Sequence, residues 1–531
     1  MNYLKNNRKD LIPYLIFLTV WCVIVLFDYK YGKTYLDSDM ASEMVLANQL
    51  NKEGTLLSTN WYYSTEIRIF GNALLFKPLL KIFPDNWRLV RTIAQGILLL
   101  LTGISYVYMA SILNKRRTSV IFATILICPF GFWNMWHGSF SGFYLIWIIL
   151  FNFGAGLIFR LSYMQDKKIL KIIRLIILII LSFLIGLQSV RGLMNLFVPL
   201  VLSSLLLLVM NLNEQKSLMP TSIKCFISAV IASIFSMIGY LINSKVLSNI
   251  YSYENQNAQI WQDFRLSRVW ETFESFVQLW GYPYNYTKSL NVELFSLNGI
   301  LSVFGLVLTF IAIYVFVWLI KRTKKLDENN KIIALSALIS TVIMFVVFVF
   351  IQKSSNINGS YFLPCLAFII AGIQIMIENM NYSFKVSKIV VMTCFLVCVI
   401  LSSINTCLLF LKNPPRSHEN QVYIADLLME NGYEQCVGTF WNGGNVITEL
   451  SNGKIESFVV SDLEYKQLNP WLQTKSHVKN YPSGKCALII GTEECNELSY
   501  NPFSIDGVEV LHVDEELIVL GFEDIGIFFN K

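Results

Sequence analysis

The chain has 531 residues, 54% of them hydrophobic and only 15% charged, with a mean hydropathy of +0.52. That balance excludes an ordinary water-soluble globule, because so much apolar surface needs a solvent other than water. The formal net charge of +6 hides an asymmetry: residues 412–531 carry 8 Lys/Arg against 18 Asp/Glu, and the preceding residues carry 34 against 18. A net of +16 is therefore followed by a net of −10, which predicts a membrane part with basic cytoplasmic loops and a separate acidic, water-soluble domain. Nothing in this pattern suggests a nucleic-acid surface.

In chain order, the first apolar run covers residues 11–27, after Lys5, Arg8 and Lys9. It lacks a small-residue cleavage site and more spans follow, so it reads as a first membrane helix rather than a signal peptide. Further spans are predicted at 92–113, 120–136, 142–159, 175–187, 193–210, 225–242, 299–320, 332–351, 361–377 and 389–411. That makes about eleven crossings, since a span takes roughly 20 apolar residues. Basic loops at Lys115-Arg116-Arg117, residues 160–174, residues 321–325 and Lys385 with Lys388 alternate with connections nearly free of positive charge. The positive-inside rule puts them, and the N-terminus, in the cytoplasm of a plasma-membrane protein. An odd number of crossings then leaves 412–531 outside. The expected organisation is a membrane domain at 1–411, with outward loops at 28–91 and 243–298, and an extracytoplasmic domain at 412–531. The spans contain no Asp, Glu, Lys or Arg by these boundaries, so the polar chemistry is expected at one face.

The loop 28–91 holds most of that chemistry. It opens with Asp37-Ser38-Asp39-Met40-Ala41-Ser42-Glu43. Asp39 or Ser38 can cap a helix starting at Met40, and Gly54 can end it. On such a helix Asp39 and Glu43 share a face, and Asp37 in an extended approach adds a third carboxylate. Three converging carboxylates suit general-base work or a divalent metal ion; the plainer reading is one cap and two solvated acids. Trp61-Tyr62-Tyr63 is an aromatic cluster fit for the headgroup zone or for stacking on a sugar ring. Glu66 and Arg68 follow, and residues 70–76 read as a second amphipathic helix ending at Pro78.

Short outward turns include His137, among Trp133 and Trp136, and Arg191 in Ser189-Val190-Arg191-Gly192. The loop 243–298 contains Trp261-Gln262-Asp263-Phe264-Arg265 and Val277-Gln278-Leu279-Trp280-Gly281-Tyr282, a composition that serves sugar binding but reads more plainly as a membrane-surface helix. In the tail, residues 421–431 read as an amphipathic helix, and 436–441, 455–461, 486–491 and 508–519 as strands, giving a small α/β domain. Trp441-Asn442-Gly443-Gly444-Asn445 reads as a tight turn entering a helix. Seven of the ten cysteines lie in apolar stretches, where a thiol packs as a small hydrophobe. Cys436, Cys486 and Cys495 lie in the tail, where a Cys486–Cys495 bridge is open but not demanded. The four histidines do not cluster with cysteines at zinc-ligand spacing.

This arrangement resembles the GT-C superfamily of membrane glycosyltransferases, and in detail the aminoarabinose transferases and protein mannosyltransferases. In those enzymes an acidic pair opens the first outward loop, a short Ala-x-Glu helix follows, and an aromatic stretch leads to Lys-Pro. The matching elements are Asp37 with Asp39, Ala41-Ser42-Glu43, Trp61-Tyr62-Tyr63, and Lys77-Pro78-Leu79-Leu80. The opening is Asp-Ser-Asp rather than two adjacent acids, so either aspartate can hold the catalytic place. Asn358-Gly359-Ser360-Tyr361-Phe362-Leu363-Pro364 partly matches an Arg-Tyr-x-x-Pro segment of related transferases, with Ser360 in place of the arginine.

The resemblance implies a mainly α-helical polytopic GT-C-like protein that moves a sugar from a polyprenyl-phosphate donor to an extracytoplasmic glycan, lipid or protein acceptor. It implies Asp37, Asp39 and Glu43 as catalytic residues and as candidates for any divalent metal ion. Lys77, Arg191 and Lys353 are the candidates for the donor phosphate, and Arg191 matches it best because a guanidinium binds phosphate bidentately. Trp61, Tyr62, Tyr63, Glu66, Arg68, His137 and Tyr361 are the candidates for holding sugar or acceptor. The alternatives are a flippase or exporter of lipid-linked glycans, which would line a central cavity with charge, and a non-enzymatic envelope assembly factor, which has no reason to group these acids and Lys77 in one loop.

Overall fold

The computed structural model describes residues 2–65, 67–165, 167–213, 219–253, 261–281, 292–351, 358–380, 385–412, 419–464 and 466–529. Two compact units divide the chain: Met1–Leu26, Gln95–Lys245 and Asn257–Pro415 form one, and Phe27–Ala94, Val246–Gln256 and Arg416–Lys531 form the other.

Among the described residues ten helices are long and apolar enough to cross a membrane: Leu11–Tyr35, Trp87–Leu113, Phe143–Tyr163, Lys168–Gln188, Leu193–Asn213, Thr221–Asn249, Leu297–Lys325, Glu328–Ile351, Gly359–Asn379 and Lys388–Lys412. The chain is a multi-pass membrane protein. Its helices carry the surface that lipid requires: Ile169, Ile172, Ile173, Ile176, Ile177 and Ile180 form an exposed stripe along one of them, which water would penalise. The eleventh expected span, 120–136, is built differently. A helix at Arg116–Ile127 stops at Cys128, whose backbone is extended (φ −67°, ψ 135°), because the ring of Pro129 disfavours a helical residue before it. A π-helical segment, Asn134–Phe140, follows.

The second unit begins with helix α1 (Ser38–Glu53) and helix α2 (Ala73–Ile82). Met44, Ala47 and Leu50 of α1 and Ala73, Phe76 and Leu80 of α2 share one buried cluster with Trp61, Tyr63 and the start of helix α3 (Trp87–Met109). α2 runs through Pro78 rather than ending there, because Leu80 beyond it is held in that core. Strand β1 (Tyr62–Tyr63) pairs in parallel with β2 (Ser252–Tyr253). On the other side of β1, Trp61 bridges Thr474, Tyr62 N–H donates to the Gln473 carbonyl at 2.9 Å and Lys475 N–H to that of Asn60 at 2.9 Å. Three distant stretches of chain are thereby sewn into one ribbon.

The C-terminal part is a five-stranded mixed sheet of β3 (Gln435–Thr439), β4 (Glu456–Val460), β5 (Cys486–Gly491), β6 (Val508–Val513) and β7 (Leu517–Phe522), in the order β4-β3-β5-β7-β6. β3 is parallel to β4 and β5, while β7 is antiparallel to β5 and β6. The two-residue period of a strand separates the faces: Leu488 and Ile490 enter one core, and Ala487 and Ile489 enter the other, with helix α4 (Glu419–Glu430) packed on it. The glycine-rich turn after β3 leads into helix α5 (Asn445–Leu450), as expected. Cys486 and Cys495 are both free thiols, so the bridge open to them is not made.

Candidate active site

The acidic opening of the first loop forms the N-terminus of α1. Asp37, and not Ser38 or Asp39, is the cap: its backbone is extended (φ −108°, ψ 170°), and its carboxylate accepts from Met40 N–H at 2.8 Å. Met40 is the third helical residue, the donor that a capping side chain reaches. The helix ends at Gly54 in the left-handed region (φ 72°). Asp37 is buried, whereas Asp39, one residue into the first turn, is half-buried. Both Asp39 and Glu43 lie on α1, so they share a face as the spacing requires.

The C-terminal sheet domain grips this end of α1. Ser38 Oγ donates to the Phe440 carbonyl, and Asn445 Nδ2 donates to Ser42 Oγ at 2.8 Å. Gly444 allows the approach, since a Cβ there would lie 2.5 Å from the Phe440 carbonyl and 3.1 Å from Ser38 Oγ. Beneath them is a buried ion pair. Arg91 donates through Nε and Nη2 to the two carboxylate oxygens of Glu449, each at 2.6 Å, and the two side chains are only 2% and 5% exposed. Nη2 also donates to the Met40 carbonyl at 2.8 Å, and the guanidinium lies 5.1 Å from the centre of the Phe76 ring. One guanidinium thus joins α1, α2, α3 and α5. Neither Arg91 nor Glu449 is marked as a partner of the acidic turn by its sequence context, and Asn445 figures there only as the end of a tight turn. The available signals were an arginine opening an apolar run and a lone glutamate in Val446-Ile447-Thr448-Glu449-Leu450.

Glu43 projects from α1 toward the start of α2. Its carboxylate accepts from Ala73 N–H at 3.2 Å, and it lines a small cleft with Arg68, Tyr63 and Gly71. Gly71 makes room, since a Cβ there would stand 2.5 Å from Glu43 Oε2. Among the described residues no three acids, histidines or cysteines are placed to hold a metal ion. Asp37 is turned to its cap and Glu43 to α2, so the three carboxylates do not assemble as one ligand set.

The aromatic cluster is mostly structural. Trp61 and Tyr63 are 0% and 4% exposed, their faces being taken by the α1–α2 core, and burial pushes the Tyr63 phenol above its ordinary range. Only the half-buried Tyr62 keeps an accessible face, with the Lys475 ammonium 5.7 Å from its ring centre. Lys77 donates to the Thr55 carbonyl, and its own carbonyl accepts from Asn51 at 2.8 Å. At about 1.5 Å per residue, Asn51 is roughly 21 Å along the helix from Asp37. Lys77 and the two aspartates therefore stand at opposite ends of α1.

In the membrane unit, Arg191 sits in the short link between Lys168–Gln188 and the π-helical Leu193–Phe197. His137 lies on the segment Asn134–Phe140. Its ring is 5.3 Å from Trp133, 5.4 Å from Trp136 and 5.8 Å from Tyr144. Tyr144 in turn meets Tyr361 edge-on at 6.5 Å, so the fold gathers His137 and Tyr361 around one tyrosine. Ser360 is buried, its N–H and hydroxyl both directed to Asn358 Oδ1. Glu66 and Lys353 lie outside the described residues.

No protein-family model and no curated protein sequence matches the chain. Solved structures do. ArnT from Cupriavidus metallidurans bound to undecaprenyl phosphate superposes with a TM-score of 0.57 at 11% identity, over 96% of this chain and 97% of that one. The apo state of the same protein gives 0.55 at 11% identity, with the same 96% and 97% covered. The fold is the GT-C fold. At this identity the likeness concerns architecture, and it extends from the first helix to the C-terminal sheet domain.

Because Arg91 and Glu449 are buried together, removing one charge strands the other. Arg91→Met and Glu449→Met are each expected to destabilise the second unit by about 3–5 kcal/mol, while the double variant recovers most of the loss. Unfolding of the detergent-solubilised chain, followed as a double-mutant cycle, measures this; additive single effects would contradict it.

Proposed function

We propose that the chain is a membrane glycosyltransferase that moves a sugar from a polyprenyl-phosphate donor to an acceptor outside the cell. The observation that supports it most is the GT-C architecture shared over 96% of the chain with an ArnT crystallised with undecaprenyl phosphate. The acidic helix in the first long loop supplies the chemistry such a fold needs.

An acceptor hydroxyl or amine attacks the anomeric carbon of the lipid-linked sugar. The bond to the phosphate oxygen breaks, and the polyprenyl phosphate leaves with the electron pair. A carboxylate takes the proton from the acceptor, and a cation stabilises the charge growing on the leaving phosphate. We assign the base to Asp39, which is half-buried on the first turn of α1. Asp37, committed to the cap, orients that turn. Glu43 supports the site from the next turn. Arg191 is the first cation assigned to the phosphate. Lys77, held on the Thr55 carbonyl at the far end of α1 from Asp39, ranks below it, and Lys353 is a third candidate. The base and the acceptor-binding groups face the outside, with the N-terminus cytoplasmic and the C-terminal domain extracytoplasmic. In this topology the broken segment 116–140 completes the odd number of crossings.

Asp39→Asn is expected to lower transfer from polyprenyl-phosphate sugars in vesicles by roughly 10²–10⁴-fold. Asp37→Asn should lower both transfer and helix stability. Full transfer by both variants would remove the proposed site. Gly71→Ala should turn the Glu43 carboxylate away from Ala73 and reduce transfer, while changing unfolding by no more than about 1 kcal/mol. Unchanged transfer in that variant would take Glu43 out of the site.

A further inference from the structure

A second cleft in the same unit faces away from Glu43. Glu43, Leu46 and Leu50 border the small cleft already described, whereas Val45, Asn48, Gln49 and Lys52 border the second. Their spacing of three, four and seven residues puts them on another face of α1. The far wall is the parallel edge of the sheet, where β3 and β4 begin. The cleft measures about 230 Å³, well beyond the 10–15 Å³ or so that a single water needs.

Two buried polar atoms of its lining residues have no partner among the described residues. The indole Nε1 of Trp61, which forms part of the wall and is 0% exposed, has no hydrogen-bond partner among the described residues, and neither has the buried Oε1 of Gln435. A buried donor and a buried acceptor left unpaired each cost about 1–3 kcal/mol. Around them stand two carboxylates, Glu434 and Glu456, and two ammonium groups, Lys52 and Lys454. His477 Nε2 lies 2.8 Å from Glu456 Oε1 with its ring stacked 4.2 Å from that of Phe458. The hydrogen bond from His477 holds the Glu456 carboxyl below its ordinary range, so it offers a charged acceptor.

This mixture selects a ligand class. An apolar molecule would desolvate these carboxylates and ammonium groups without returning a hydrogen bond. An anion such as a phosphate would meet Glu434 and Glu456. Hydroxyl groups, each both donor and acceptor, match all of these partners at once. We infer that this cleft, formed by the outer face of α1 and the β3–β4 edge, binds one sugar ring of a glycan at a site separate from the transfer centre. The inference rests on the cleft alone and requires no transfer reaction.

The test uses the full chain in nanodiscs without donor lipid, and saturation-transfer NMR with the methyl glycosides of glucose, galactose, mannose and N-acetylglucosamine, against glycerol as control. At least one glycoside should receive saturation that glycerol does not. Lys52→Met and Glu456→Gln, both exposed side chains, should each weaken that binding by roughly tenfold with unfolding unchanged, and Asp39→Asn should leave it intact. The inference fails if no glycoside exceeds glycerol, or if binding survives both cleft variants. Loss of binding in Asp39→Asn alone would place the sugar at the transfer centre and also overturn it. Failure of transfer in vesicles leaves these outcomes unaffected.

Discussion

The second unit depends on one guanidinium buried with one carboxylate. Arg91 and Glu449 are 358 positions apart in the chain, yet they meet in a bidentate pair at 2.6 Å. Such a pair adds little net stability over a well-packed apolar alternative, because both ions give up hydration. Its value is geometric. Arg91 Nη2 also donates to the Met40 carbonyl, in the first turn of the helix that carries Asp39 and Glu43 and is capped by Asp37. With Ser38 on Phe440 and Asn445 on Ser42, the C-terminal domain fixes the acidic turn. The base proposed on that turn needs this kind of support to meet an acceptor within hydrogen-bond reach.

Much of this was legible before the structure, and the boundary of legibility has a physical origin. The spans could be read because lipid demands long apolar runs, and ten of them lie where the runs are. The exception, 120–136, has the hydrophobicity of a span but contains Pro129, whose effect on the preceding residue breaks the helix at Cys128. In the tail, the short apolar run 486–491, bounded by Lys485 and Thr492, marked β5 to the residue. The acidic helix was legible as well, though its cap was placed one or two residues late, because Asp37, Ser38 and Asp39 are all good caps and only the backbone decides among them.

What could not be read were long-range partners. Trp61-Tyr62-Tyr63 looks like a sugar platform in isolation, but the core that buries Trp61 and Tyr63 comes from α1, α2 and α3 together. Lys77 looks close to the aspartates because it shares one loop with them, yet α1 stands between them as a rigid spacer. Glu449 appears as one acid among many in an acidic tail, and only its partner gives it meaning. The C-terminal domain, which composition marks as a separate body, shares its unit with the first loop.

The C-terminal domain holds the acidic turn through Glu449. Hydrogen exchange of the full chain, comparing wild type with Glu449→Gln, tests it most directly. Peptides covering the first turn of α1, residues 38–42, should lose protection in the variant, while those of β5 and β7 keep theirs. Unchanged protection at residues 38–42 in a folded Glu449→Gln protein would contradict the account.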